Sequence, residues 1–203
     1  MTIGFRRGVM AACLALGLGI AACNQPPAAP PAASAAAATP TPSQAERGRM
    51  LVVGGACHDC HSPKKLGPKG PEPDMDRMLS GRPENSPPVT PYRPAAGSPW
   101  TMVTTGDGTA WSGPWGVSFP INLTPDTNTG LRSGVWTEEL FIKAMRTGKH
   151  MGTARDILPP MPWPGYAQLS DDDLKAIWVY LGTIPPIVNH VPDPIPPAGA
   201  PAN

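Results

Sequence analysis

Apolar and polar positions divide the chain into regimes of different period. From Val9 to Ile20 apolar residues run almost unbroken behind Arg6 and Arg7, the anatomy of a secretory signal over residues 1–22. The run is shorter than the roughly 20 apolar residues that cross a bilayer. Residues 24–43 show no period at all. They are almost wholly Ala, Pro, Ser and Thr, without a charge, which predicts an extended, semi-stiff tether. In polyproline geometry, at about 3 Å per residue, it reaches up to roughly 60 Å.

Helical periodicity appears three times between residues 44 and 183. Ser43 with Glu46 three residues later forms a capping-box pattern, predicting a helix from Gln44 to Val53 that stops at Gly54-Gly55. Thr137 caps a second helix, with Glu138 and Glu139 in its first turn, Leu140, Phe141, Ala144 and Met145 on one face, and Gly148 as stop. Ser170 opens a third with Asp173 as capping-box partner. Leu174, Ile177, Trp178 and Leu181 follow at helical spacing, and Gly182 ends it. Asp171, Asp172 and Asp173 suit a helix N-terminus, where carboxylates meet the positive end of the macrodipole, so capping explains them without a metal or docking site.

Between the first two helices, residues 62–135 keep no period. They are rich in Pro and Gly and carry Trp100, Trp111 and Trp115, with Trp136 just after. The expectation is a long irregular wrap pinned by tryptophans. It serves as a core cover, a docking surface or the wall of a small-ligand pocket. Residues 184–203 are Pro-rich again and are expected to lie extended on the surface or to fray.

Composition agrees: 30 prolines and 22 glycines make about a quarter of the 203 residues, which predicts much irregular backbone. Formal charge is +1; the 16 basic residues less Arg6 and Arg7 leave 14 against 15 acidic. A near-neutral chain lacks the concentrated basic face that nucleic-acid binding requires.

Cysteine usage carries the chemistry. Cys13 lies in the apolar leader and Cys23 at its end, leaving Cys57 and Cys60 in Cys57-His58-Asp59-Cys60-His61. C-x-x-C-H is the c-type haem attachment pattern. Each thiol adds across a haem vinyl group to give a thioether, and the following imidazole takes the iron as proximal ligand. A zinc half-site needs a second Cys pair, and a thioredoxin-like pair needs a βαβ setting; the chain has neither. One motif implies one covalent haem c. His58, between the thiols, is expected to point away from the iron as a surface residue.

A first helix leading into this motif and a last helix bearing Trp178 and Tyr180 resembles class I cytochrome c. In that family the terminal helices cross, with a small residue of the first against an aromatic of the last. Here the matching positions are Gly48 and Tyr180, with Leu51 and Trp178 as neighbours. The resemblance also implies a distal methionine on a Pro-rich loop before the last helix, the place of Met161 in Leu158-Pro159-Pro160-Met161-Pro162-Trp163. Flanking prolines stiffen such a loop, so a weak iron–sulfur bond need not order it. Met151, His150 and His190 stay open as alternatives; Met145 reads as core and Met50 as part of the first helix. Asn122-Leu123-Thr124-Pro125-Asp126, Trp136-Thr137-Glu138-Glu139 and the Pro-x-Met-Pro loop resemble cytochrome c subunits that accompany membrane-bound alcohol and aldehyde dehydrogenases. Those often carry several haem motifs, whereas this chain has one.

Ile20-Ala21-Ala22-Cys23 resembles the bacterial lipobox, which implies a lipidated Cys23 and anchoring by several acyl chains. Ordinary cleavage at the Ala-x-Ala-like site is the alternative. Asn24 in place of Asp slightly favours the outer over the inner membrane.

The expectation is therefore a mainly α chain with the class I cytochrome c fold and a long irregular Pro/Gly/Trp-rich insertion. Its parts are a leader (1–22), a lipidated tether (23–43), a haem domain (44–183) and a tail (184–203). Its function is electron transfer by one His61/Met161-ligated haem in the periplasm. It is no enzyme in itself, at most the electron-transfer subunit of a dehydrogenase. Expected partners are a dehydrogenase, a soluble cytochrome or a terminal oxidase. Lys64, Lys65 and Lys69 either steer an acidic partner or solvate a loop. The alternative is a haem-based small-ligand sensor with an open or displaceable distal site. Peroxidase-like chemistry is disfavoured, since neither a second haem motif nor an evident distal acid–base histidine is present.

Overall fold

The computed structural model describes residues 42–197. The leader, Cys23, most of the tether and the last residues of the tail lie outside the described residues. Helix α1 spans Gln44–Gly54. The Ser43 hydroxyl accepts from the Glu46 N–H, while the Glu46 carboxylate accepts from the Ser43 N–H at 2.7 Å, the reciprocal box that satisfies two end donors. Ala56, at φ 58°, turns the chain into the short α2, Cys57–His61. Helix α3 covers Glu138–Thr147, capped by the Thr137 hydroxyl and closed by Gly148 at φ 67°, a left-handed C-terminus that glycine adopts without strain. A short α4, Trp163–Tyr166, precedes α5, Asp171–Leu181, whose first turn is capped by Ser170.

The acidic first turn of α5 docks as well as caps. The Asp173 carboxylate accepts from Arg47 Nε of α1, and Asp171 accepts from Arg146 Nη2 of α3 at 2.5 Å. Helices α1 and α5 cross at Gly48. A Cβ there would collide with the Ala176 carbonyl and lie 2.7 Å from Tyr180 Cβ, so the approach needs a residue without a side chain. The core beneath joins Val52 of α1, Phe141, Ala144 and Met145 of α3, and Leu174, Ile177, Trp178 and Leu181 of α5. Leu79 and Leu131 of the insertion complete it.

The insertion is more ordered than its lack of period suggests. β1 (Lys64–Gly67) and β2 (Gly70–Pro73) form an antiparallel hairpin, and β3 (Val103–Thr104), β4 (Trp111–Gly113) and β5 (Gly116–Ser118) a small antiparallel sheet. Strands of two to four residues are too short to show alternation, so the molecule is mostly helical with small sheets. Trp111, Trp115 and Trp136 are half-buried, but Trp100 is 69 % exposed and pins nothing.

The C-terminal segment does not fray within the described residues. Val117 and Ile195 exchange backbone hydrogen bonds of 2.8 and 2.9 Å. The Asn189 amide donates to the Ser80 and Arg82 carbonyls at 2.7 and 2.8 Å and accepts from the Glu84 N–H at 2.9 Å. The Asn122 amide donates to the Ile187 carbonyl at 2.8 Å. Residues 185–197 are thus a strap laced across the insertion by side chains that satisfy its backbone.

Candidate functional site

A cavity of ≈ 660 Å³ opens between the helices and the insertion, within the size range of small-molecule and cofactor sites. Cys57, Cys60 and His61 reach it from α2, and Met161 reaches it from the loop before α4, flanked by Pro160 and Pro162. Most of the remaining wall is apolar, including Leu123, Leu131, Phe141, Ile157, Leu174 and Ile177.

His61 is buried, and its Nδ1 lies 2.8 Å from the Ile121 carbonyl. A carbonyl only accepts, so Nδ1 carries the proton and Nε2 keeps a free lone pair. Burial pushes this imidazole down to about 4, with the Ile121 bond opposing the shift, so it is neutral at pH 7 and fit to ligate a metal. Ile121 belongs to the insertion. The sequence shows the imidazole but has no local signal for its carbonyl partner.

The thiols of Cys57 and Cys60 are both pushed up by burial; Tyr166 pulls Cys57 partly back. Tyr166 was not foreseen as part of the site. Its hydroxyl donates to the Gly55 carbonyl and stands 3.7 Å from Cys57 Sγ, tying α4 to the loop before the thiols. Lys64 also lines the cavity, its ammonium donating to the Asp59 carbonyl. Lys65 pairs with Asp74 at 3.5 Å, and Lys69 is exposed in the turn of the β1–β2 hairpin.

The other sulfurs and imidazoles separate clearly. Met145 and Met102 line the cavity, Met145 from the core face of α3. His150 lines it as well, whereas Met151, His190 and Met50 do not. His58 turns away from it as expected but is half-buried, with Nδ1 2.9 Å from the Ser62 hydroxyl. Among the described residues no three His, Cys, Asp or Glu cluster as a metal site, and no helix is long and apolar enough to cross a membrane.

The donor set fits a covalently attached haem: two adjacent thiols, a buried neutral imidazole with a free Nε2, a thioether, and an apolar space of suitable size. No family model matches the chain. It is 37% identical over 83 residues to the cytochrome c subunit of a quinone-dependent alcohol dehydrogenase from Gluconobacter oxydans, covering 39% of this chain and 17% of that subunit. It is 28% identical over 149 residues to the fructose dehydrogenase cytochrome subunit of Gluconobacter japonicus, covering 71% and 23%. To the gluconate 2-dehydrogenase cytochrome c subunit of Pantoea cypripedii it is 41% identical over 69 residues, 33% of this chain and 14% of that protein. The chain thus matches less than a quarter of each relative's length. It is a distant homologue of the cytochrome c subunits of alcohol, gluconate and fructose dehydrogenases.

Proposed function

We propose that the protein is a one-electron carrier with a single haem c. The observation that carries this reading is the convergence of Cys57, Cys60, a neutral buried His61 and Met161 on one apolar cavity. The thiols of Cys57 and Cys60, held protonated by burial, supply both the sulfur and the hydrogen that addition to a vinyl group requires. His61 would hold the iron through Nε2, its ring steadied by the Nδ1–H bond to the Ile121 carbonyl. Met161 would add its thioether from a loop stiffened by Pro159, Pro160 and Pro162. The haem would supply reversible ferric–ferrous chemistry, at a potential kept high by His/Met ligation.

Homology to dehydrogenase cytochrome subunits makes a dehydrogenase the natural donor, with a soluble cytochrome or a terminal oxidase downstream. The protein itself performs no substrate chemistry; it serves as the electron-transfer subunit. Acylated Cys23 and the Ala/Pro tether would hold the domain near a membrane on the periplasmic side, at raised effective concentration for its partners.

The test is an absorption spectrum of the matured protein, oxidised and reduced, with carbon monoxide added to the reduced form. Low-spin bands, a far-red sulfur-to-iron band and indifference to carbon monoxide are expected. Met161→Ala should keep the haem attached, abolish the far-red band and lower the potential, while Met102→Leu and Met145→Leu retain the band. Carbon monoxide binding by the unmodified protein would instead favour a small-ligand sensor.

A further inference from the structure

The prolines of the loop before α4 make it stiff without deciding where it stands. Pro159, Pro160 and Pro162 have no backbone N–H, so the stretch around Met161 has few donors with which to tie itself to the rest of the fold. A stiff lever still pivots at its base. Its placement depends on a group outside the loop that reaches one of its carbonyls. That group is Ser118 of β5, whose hydroxyl donates to the Pro159 carbonyl, two residues before Met161.

Ser118 is buried and lines the cavity alongside Pro160 and Met161. The Trp115 indole N–H donates to its oxygen at 3.3 Å, which leaves the single hydroxyl hydrogen for the loop; the Trp111 carbonyl, at 3.4 Å, is the more distant of its two acceptors. The backbone beneath is fixed residue by residue. Ser118 pairs with Trp111 of β4, Val117 exchanges hydrogen bonds with Ile195 of the strap, and the Arg82 guanidinium lies 5.1 Å over the Phe119 ring. The Arg82 N–H donates to the Pro120 carbonyl at 3.2 Å. The next carbonyl, that of Ile121, accepts from His61 Nδ1. Ser118 and Ile121 are separated by at most about 10 Å of chain, and every residue from 118 to 121 lines the cavity. One short segment thus bonds to His61 at one end and to the loop of Met161 at the other.

On the reading of the cavity as a haem site with His61 and Met161 as axial ligands, we infer that Ser118 is a positioning residue for the distal ligand: from the segment that steadies His61, its hydroxyl holds the Met161 loop where the thioether can take the iron. A thioether is a weak, neutral donor, so its bond lasts only if the loop loses little freedom in making it. The Ser118 hydrogen bond removes that freedom beforehand. It touches neither sulfur nor iron. What it changes is how readily Met161 leaves, and how easily an outside ligand takes its place.

The test is displacement of Met161 by imidazole in the oxidised, haem-loaded protein, followed by loss of the far-red sulfur-to-iron band. Ser118→Ala keeps the backbone pairing of β5 and should retain the band before imidazole is added. It should then bind imidazole about tenfold more tightly, the factor that one hydrogen bond of ordinary net strength supplies. Ser112→Ala is the control. The Ser112 hydroxyl belongs to the same sheet, donating to the Gly116 carbonyl at 3.2 Å and accepting from the Tyr92 N–H at 2.6 Å, but it does not line the cavity. Imidazole affinity in Ser112→Ala should therefore stay at the parent value. Equal affinity in Ser118→Ala and the parent would overturn the inference. So would an equal gain in Ser112→Ala, which would assign the effect to a general loosening of the sheet. A parent protein without haem, or without the far-red band, would instead bring down the function reading itself, and the role of Ser118 with it.

Discussion

The helical frame and the wall of the cavity facing it reach order by opposite routes. In the frame each helix is delimited by its own neighbours in sequence. Ser43 with Glu46, Thr137, and Ser170 sit at the starts, and Gly148 closes α3. Apolar faces then meet in one cluster. In the insertion, short-range turns and hairpins are tied together by links that reach far along the chain. Arg82 is buried, donating to the Pro87 carbonyl at 2.6 Å and lying over the Phe119 ring. Asn189 reaches back more than a hundred residues to hold Ser80, Arg82 and Glu84. The frame is held by packing that tolerates little change of volume. The wall is held by small sheets and by a few side-chain amides that bridge distant stretches of backbone.

That contrast can be broken most severely at the helix crossing. Gly48→Val should destabilise the protein by about 3 kcal/mol or more, since the new side chain meets the Ala176 backbone, which cannot rotate away. Thermal unfolding would show it; a melting temperature near that of the parent would mean that α1 and α5 do not approach as closely as described. Asn189→Ala should cost about 2–3 kcal/mol by leaving the Glu84 N–H and two carbonyls unpaired. Its signature is regional: amide exchange should quicken around residues 80–84 and 185–197 while α1 and α5 stay protected. Uniform loss of protection would make frame and wall one cooperative unit.

The smallest effect tests the frame's own polar link. The Arg47 hydrogen bond holds the Asp173 carboxyl below its usual range, with Ser170 assisting and burial opposing. A depressed folded value means stabilisation that is complete above the unfolded pKa of about 3.9 and lost as pH falls through the folded value. Asp173→Asn should therefore weaken the protein less than Asn189→Ala does at neutral pH, and the two proteins should converge in acid. A difference that persists undiminished in acid would assign the loss to packing.

These routes also explain what could be read in advance. The caps and stops of α1, α3 and α5 emerge within a residue of their expected places, because each is a local chemical event. The motif residues and Met161, each marked in the sequence by its own local pattern, line one cavity. The strands escaped notice because two to four residues carry no usable period. The Ile121 carbonyl escaped because backbone atoms are the same in every residue. Tyr166, only a few residues beyond Met161, carried a legible hint, an aromatic with a polar tip that seeks a partner when half-buried.

The pairing of Val117 with Ile195 has a consequence in time. The wall beside the thiols is secured by a segment 135 residues beyond Cys60. Until that segment pairs with Val117 the wall is unlaced, so a large, rigid guest can enter before the door that retains it is hung.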